Sequence, residues 1–446
     1  MFRVVTHLFV ALAVITTLVS ATPAMAEKPA ILEISNPFKN KTPFALPQFA
    51  ASGTSDSATA LATEARDLLE NTLLFTGYFR MVSPEAFLES PARTGIDESN
   101  IHFDRWRATG SELLVTGSLA VNGQSVVGEF HFYDIFRARS LFGVRYRTTT
   151  SNLRPMVLKL ADKIMLTYSG KKSCFNSRIA FVSNASGVKE IYVAGFDGFN
   201  PKKVSANNAI TLTPAWSPDG KKLAYTSYVH GKPDIFTQGA WPGAKRKRLT
   251  SKGTTNITPN WSPDGKHLAA SLTIDGDQAI YLLTQKGKIR KRLTRKWSKW
   301  GIDVSPVFSP SGDRIAFVSK RSGTPQIYIK DLRSGRTERI TFDGRYNTSP
   351  AWSPSGDRIA YAGSKNGHFD IHVVSVRDGR TMQLTSDSGD NETPSWSPDG
   401  NLIVFSSTRS GKNALYVMNA YGTDQRKLVT LPGEQTAPVW SPNLTQ

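Results

Sequence analysis

The chain has 446 residues and a formal net charge of +19, with 55 Lys and Arg against 36 Asp and Glu. Its single cysteine, Cys174, excludes an intramolecular disulfide, so a large buried core must stabilise the fold. Residues 171–446 hold 39 basic and 21 acidic residues, whereas 27–170 hold 15 of each; such a charge suits nucleic acid, anionic lipid or an acidic protein, or basic edge strands protected against aggregation, as in 245–248 and 288–292.

Residues 1–26 read as a secretory signal: Arg3, an apolar run over 4–19, then Ala24-Met25-Ala26 as a small-x-small cleavage site. The run is shorter than the roughly 20 apolar residues of a spanning helix, and no later stretch approaches that length. A soluble, exported protein with no transmembrane segment after cleavage is expected, and export argues against nucleic acid as a partner. Residues 27–55, rich in Pro, Lys and Asn, read as an N-terminal tail with two short apolar runs, Ala30-Ile31-Leu32 and Phe44-Ala45-Leu46. Residues 30–34 could add a strand to a sheet edge, their own or a partner's.

Residues 56–168 predict an α+β domain. Asp56 or Ser57 caps a helix with Leu61, Ala65, Leu68, Thr72 and Phe75 on its apolar face, ended by Gly77. A strand over 78–82 follows, then strands over 112–121 and 124–133 flanking Asn122-Gly123, a strong hairpin signal. Residues 141–147 continue the sheet. Pro155 opens a second helix with Met156, Leu160, Ile164 and Tyr168 on one face. Residues 169–177 link this domain to the C-terminal 269 residues.

From 178 to 446 one pattern returns. Thr213-Pro214-Ala215-Trp216-Ser217-Pro218-Asp219-Gly220 has counterparts around Trp261, Phe308, Trp352, Trp396 and Trp440, at spacings of 45, 47, 44, 44 and 44 residues. A period of that size marks a propeller. Between copies come an alternating run such as 222–227, an Ile191-Tyr192-Val193-type strand and a short Arg248-Leu249-Thr250-type strand, so each unit supplies the four strands of one blade. The first unit lacks its Pro-x-Trp strand, and the last Pro-x-Trp strand has nothing after it. Placing the C-terminal strand innermost in the first blade completes six blades and removes the open edges. The predicted fold is an α+β N-terminal domain followed by an all-β, six-bladed, WD40-like β-propeller closed by the C-terminal strand.

The chemistry is sparse. No Gly-x-Ser-x-Gly elbow occurs, and no length remains for a hydrolase domain. His368, Asp370 and His372 share a strand face, as a metal site would require. However, His372 fills a slot that is Tyr or Phe in other blades, and Asp370 matches Asp234, so both read as repeat residues. Asp275-Gly276-Asp277 has no continuing calcium-ligand series. No catalytic residue, metal site or cofactor is predicted. The segments ahead of each Pro-x-Trp (209–213, 254–258, 301–305, 345–349, 389–393 and 433–437) ring one mouth of the channel. Their amides, hydroxyls and carboxylates suit the docking of a protein segment.

The signal, the α+β domain and the six repeats, in this order, resemble the TolB family, periplasmic propellers of the bacterial Tol-Pal system, over essentially the whole chain. The resemblance implies a non-enzymatic, monomeric periplasmic protein that couples inner-membrane TolA to the outer-membrane lipoprotein Pal. Its expected service is to envelope integrity and to outer-membrane invagination during division. It implies a Pal contact at the channel mouth through Thr255, Asn256, Thr258, Asp303, Val304, Ser305, Asn347, Ser349, Asp390 and Glu392. It implies a TolA contact at the mature N-terminus through Glu27, Lys28, Ala30, Ile31, Leu32 and Ile34. The sequence departs from the family pattern at Val304, apolar where a polar residue is expected, and over Glu27-Lys28-Pro29-Ala30. The alternative is a secreted propeller enzyme or carbohydrate-binding protein using the channel, and a mouth without paired catalytic carboxylates speaks against it.

Overall fold

In the computed structural model the described residues are 38–53, 56–274, 276–295, 301–365 and 367–444. The repeats form six four-stranded antiparallel sheets. Blade 2 is representative, with strands Thr211–Trp216, Lys222–Ser227, Asp234–Gly239 and Lys247–Arg248 from channel to rim. Blade 1 takes Gln435–Trp440 as its innermost strand beside Arg178–Ser183, Glu190–Gly195 and Lys202–Lys203. The ring is therefore closed by the C-terminal strand, as the offset of the repeats implies.

The Ser-Pro-Asp-Gly turn shows why the repeat keeps its form. Ser217 Oγ accepts from Lys222 N and donates to Asp219 Oδ1, while Asp219 Oδ1 also accepts from Lys221 N. Gly220 takes a left-handed φ of 66° that the turn requires. The bond from Ser217, then the Lys221 amide and nearby lysines, hold the Asp219 carboxyl below its usual range against a smaller opposing effect of burial. In the two Ser-Pro-Ser-Gly-Asp copies the carboxylate comes from two residues further on, as Asp313 and Asp357, and still binds Ser309 and Ser353.

The tryptophans join neighbouring blades. The indole N–H of Trp216 donates to Val439 O at 3.0 Å, that of Trp352 to Val307 O at 3.1 Å and that of Trp396 to Ala351 O at 3.1 Å. Trp440 donates instead to Ser177 Oγ at 2.7 Å, and its main-chain N to Ser395 Oγ at 3.0 Å. It thereby ties blade 1 to blade 6 and to the segment before the ring. The indole of Trp261 has no acceptor among the described residues, and blade 4 carries Phe308 there.

The N-terminal domain is a mixed sheet under two helices. Its strand order is Phe79–Met81, Thr42–Ala45, Leu113–Asn122, Ser125–Asp134 and Arg139–Thr149, and Ala50–Gly53 also pairs with Leu113–Asn122. Residues 42–53 thus belong to the sheet, although their composition resembles a tail. Thr42–Ala45 runs parallel to both neighbours, so no local turn announces it. The first long helix, Asp56–Phe75, buries Ala58, Ala62, Ala65, Leu69 and Leu73. The expected face is rotated: Leu61, Leu68 and Phe75 pack at the side of the core, while small alanines face the second helix, Leu153–Ser169, and the sheet. The hairpin's two-residue loop is Gly123-Gln124, since Asn122 pairs with Ser125; Gly at the first loop position fits a type II′ turn. Among the described residues no helix is long and apolar enough to cross a membrane.

This domain seats on blades 1 and 6, and one apolar core runs through both. Arg426 donates to Phe75 O at 2.6 Å with its guanidinium 4.4 Å from the Phe75 ring centroid. Arg154 pairs with Asp197 at 2.6 Å, Lys41 with Asp424 at 3.0 Å, and Tyr78 OH donates to Asn401 at 3.1 Å. Burial and the nearby Asp399 push the Tyr78 hydroxyl up to about 12. Asp197, Asn401 and Asp424 all lie in turns at the ends of strands remote from the pre-Trp segments. The mouth ringed by those segments therefore faces away from the N-terminal domain. Residues 173–177 are packed, and burial raises the Cys174 thiol well above its ordinary range, which suppresses its reactivity.

Two outcomes are expected. Trp440→Ala removes both a buried ring and the blade 6 to blade 1 tie, at about 3–5 kcal/mol, so thermal melting should drop on the order of 10 °C. Trp241→Ala, on an exposed ring, should leave the melt nearly unchanged. Trp216→Phe and Trp261→Phe lose the same volume, but only the first strands a carbonyl. It should cost about 1 kcal/mol more in chemical denaturation.

Candidate functional site

The channel is built from one local device repeated six times. Thr213, Thr258, Ser305, Ser349, Thr393 and Ala437 have φ between 48° and 53°, each immediately before a proline. Proline bars its predecessor from the right-handed helical region, and the strand register shifts at this point in every blade. Left-handed backbone at a residue other than glycine costs on the order of 1 kcal/mol. Hydroxyl bonds hold it: Thr213 Oγ1 to Thr226 Oγ1 and Thr393 Oγ1 to Ser406 Oγ, both 2.9 Å. Others cross between blades, with Thr258 N donating to Thr226 Oγ1 and Ser305 N to Thr258 Oγ1, each at 3.2 Å. The bulge turns these six residues and their prolines onto the channel wall, where they line a cavity of about 470 Å3 with the Trp and Phe rings below. No residue of that lining has a titratable side chain, so it presents shape and hydroxyls and offers no acid–base pair.

The residues expected at this mouth divide into two groups. Asn256, Asp303 and Asn347 lie at the first or second position of innermost strands and are buried, at 0%, 1% and 1% exposure. Their side chains clasp neighbouring strands and do not project as contacts. Asn256 Nδ2 donates to Asp234 Oδ1 at 2.8 Å, and Asn347 Nδ2 to Gln326 Oε1 at 2.8 Å and Asp343 O. Asn391 repeats the clasp onto Asp370, which also accepts from Thr385 and Gln383. Asp303 instead meets Arg321 at 3.3 Å, because blade 3 carries Ala279 where the acceptor would sit. Polarity alone makes these residues look like surface. The pairing of Asp234 with Asn256, Gln326 with Asn347 and Asp370 with Asn391, at near-constant separation, is the sequence signal that marks them as clasps.

Thr255, Thr258, Val304, Ser305, Ser349, Asp390 and Glu392 are half-buried and sit together around the mouth. Leu212, Ile257, Val304, Thr348, Glu392 and Thr436 occupy one equivalent position, making Val304 one of three aliphatic members and Glu392 the sole ionisable one. Burial, then the charge of Asp390, raise the Glu392 carboxyl. Asp390 accepts from Phe369 N at 3.0 Å and lies 3.6 Å from His368 Nδ1. Glu27, Lys28, Ala30, Ile31, Leu32 and Ile34 lie outside the described residues.

His368, Asp370 and His372 do not converge as ligands. Asp370 is spent on its clasp, and His372 stacks on Tyr361 at 5.3 Å, its pKa lowered mainly by burial. Among the described residues, Asp97, Glu129 and His131 in the N-terminal domain are the only group of three whose ligand atoms all lie within 4.8 Å of one another.

Glu392 generates a pH-dependent expectation. With its folded pKa raised above the unfolded value, the folded state binds more protons in that window, so stability falls as pH rises through it. Glu392→Gln should therefore melt slightly higher than the parent at pH 7. The difference should close below about pH 4, where both states are protonated.

Comparison with known proteins adds family context. A family model described as the TolB amino-terminal domain matches residues 30–141, and the PD40 model, the TolB beta propeller domain, matches 166–444. The chain is 46% identical over 266 residues to a Tol-Pal system protein TolB of Desulfosudis oleivorans, covering 60% of each. It is 37% identical over 280 residues to a TolB homolog of Chlorobium luteolum, covering 63% of this chain and 62% of that one. These matches thus span about three-fifths of the relatives' length. The crystal structure of TolB from Acinetobacter baumannii superposes with a TM-score of 0.78 at 27% identity, covering 90% of this chain and 97% of that one.

Proposed function

The chain belongs to the TolB family, and from that premise we propose that it is a non-enzymatic periplasmic coupling protein of the Tol-Pal system. In this reading it is exported by a cleaved signal over 1–26 and acts as a monomer. Its propeller mouth receives the outer-membrane lipoprotein Pal, and its mature N-terminus engages inner-membrane TolA, joining the two membranes during envelope constriction. The observation that carries the reading is the orientation of the ring. The blade ends that meet the N-terminal domain are opposite the mouth, which leaves the six pre-Trp segments free for a partner. A channel wall of prolines, hydroxyls and aromatic rings favours docking over turnover.

Within the mouth, Thr255, Thr258, Val304, Ser305, Ser349, Asp390 and Glu392 would touch the lipoprotein. Asn256, Asp303 and Asn347 would hold the strands that present them, since their side chains are already engaged. Rigid presentation lowers the ordering cost of binding.

The test separates the two partners. Thr258→Arg and Ser349→Arg each place a long cation at the channel wall. A charge desolvated without a partner costs several kcal/mol of binding, so affinity for the soluble domain of Pal should fall roughly a hundredfold. Deleting 27–34 should abolish TolA binding and leave Pal binding intact. Calorimetric titration of each folded variant against both domains reads the outcome. Normal Pal binding by the mouth variants, or loss of both partners on deleting 27–34, contradicts the assignment.

A further inference from the structure

Because the six blades share one pattern, a departure in a single blade is informative. Two residues beyond the stacking aromatic of the third strand stand Ala194, Gln238, Leu283, Val374 and Met418 in five blades, all buried. Blade 4 carries Lys330 there, half-buried. Its ammonium donates to Gly335 O at 2.7 Å, and it has no ion-pair partner among the described residues. The adjacent carboxylate of Asp331 attracts it only weakly, its Oδ1 being held in its own turn by Arg333 N, Ser334 N and Ser334 Oγ. A lysine that is partly desolvated and unpaired is costly.

The cations around it aggravate that cost. Lys330 faces a cavity of about 420 Å3 in the cleft between blades 3 and 4, shared with Arg295, Arg321, Arg336 and the hydroxyls of Ser334 and Thr337. Arg321 reaches Asp303 and Arg336 reaches Glu338 at 3.0 Å, while Arg295 has no partner among the described residues. Four cations thus share two ion-paired carboxylates, with Asp331 a weaker third influence on Lys330. Burial, then the charges of Arg295, Arg321 and Lys291, push the Lys330 pKa down against a smaller opposing effect of Asp331. Residues that only guard a sheet edge look different: Lys245 and Lys247 are exposed on the rim of blade 2.

We propose that this cleft binds a phosphate group, gripped by Lys330, Arg295 and Arg336 with the hydroxyls of Ser334 and Thr337. Phosphate fits the set better than a lone carboxylate. Its several oxygens accept at once from guanidinium forks, an ammonium and hydroxyls, and its charge offsets more than one cation. The group can arrive as soluble phosphate or on the head of an anionic lipid, and both present the same oxygens.

The test is calorimetric titration of the full chain with inorganic phosphate, at ionic strength fixed with chloride. Lys330→Met installs the residue that blade 6 carries, and Arg295→Ser the residue of blade 2. The parent should bind saturably, each variant roughly tenfold or more weakly, and a Lys247→Ala rim control like the parent. Lys330→Met should melt no lower than the parent; should it fail to fold, the exposed Arg295→Ser still decides the matter. No saturable binding by the parent up to about 10 mM phosphate, or equal binding by Arg295→Ser and a folded Lys330→Met, overturns the proposal. Sedimentation with phosphatidylglycerol vesicles, against phosphatidylcholine, identifies the source. Vesicle binding weakened by both substitutions assigns a lipid head group, and phosphate binding without vesicle binding assigns soluble phosphate. Vesicle binding indifferent to both, with no phosphate binding, means only a general basic surface and overturns the site.

Discussion

The innermost strands carry the ring because each is held from two sides. One edge pairs with its own second strand, and the opposite face bonds the preceding blade. In blades 2, 3, 5 and 6 this runs through an indole N–H or an asparagine amide, and in blades 4 and 1 through the main-chain N–H groups of Ser305, Phe308 and Trp440. These bonds lie in a core that excludes water, where an unmade partner costs more than a made bond contributes. A blade therefore cannot loosen alone without stranding polar groups of its neighbour. At the seam of the chain, Trp440 bonds both Ser177 and Ser395, so closure depends on the C-terminal strand.

From that constraint the functional surface emerges. Closure fixes the six bulges at one height around the channel, and each bulge needs left-handed backbone ahead of a proline. In four of the six, hydroxyls on adjacent strands and blades bridge the strained residue. The resulting mouth is rigid, and the opposite end of the ring is occupied by the N-terminal domain through Arg426, Arg154 and Tyr78. A protein of this build offers a stiff surface at one end of the ring and carries its N-terminal domain at the other.

Much of this is legible in the sequence, for identifiable reasons. The spacing of the Trp positions and the unmatched strand at Trp440 dictate six blades and their closure. Asn122-Gly123 locates the hairpin, though pairing of Asn122 with Ser125 moves the loop by one residue. The strand at Thr42–Ala45 leaves no local signal because its parallel partners lie far away in sequence. The helix Asp56–Phe75 turns its alanines inward, since close packing rewards small side chains as much as large ones. At the mouth, polarity alone does not distinguish Asn256 and Asn347, which clasp, from Thr258 and Ser349, which line the channel. Depth decides that difference, and depth depends on the neighbouring blade.

The most direct measurement of partner docking at the mouth is amide hydrogen exchange of the full chain, alone and saturated with the soluble domain of Pal. Added protection is expected in 254–258, 301–305, 345–349 and 389–393, with no change in the turns around Asp197, Asn401 and Asp424 or on the basic rim at 245–248. Protection concentrated on the rim or on those turns, with the pre-Trp segments unchanged, would contradict docking at the mouth.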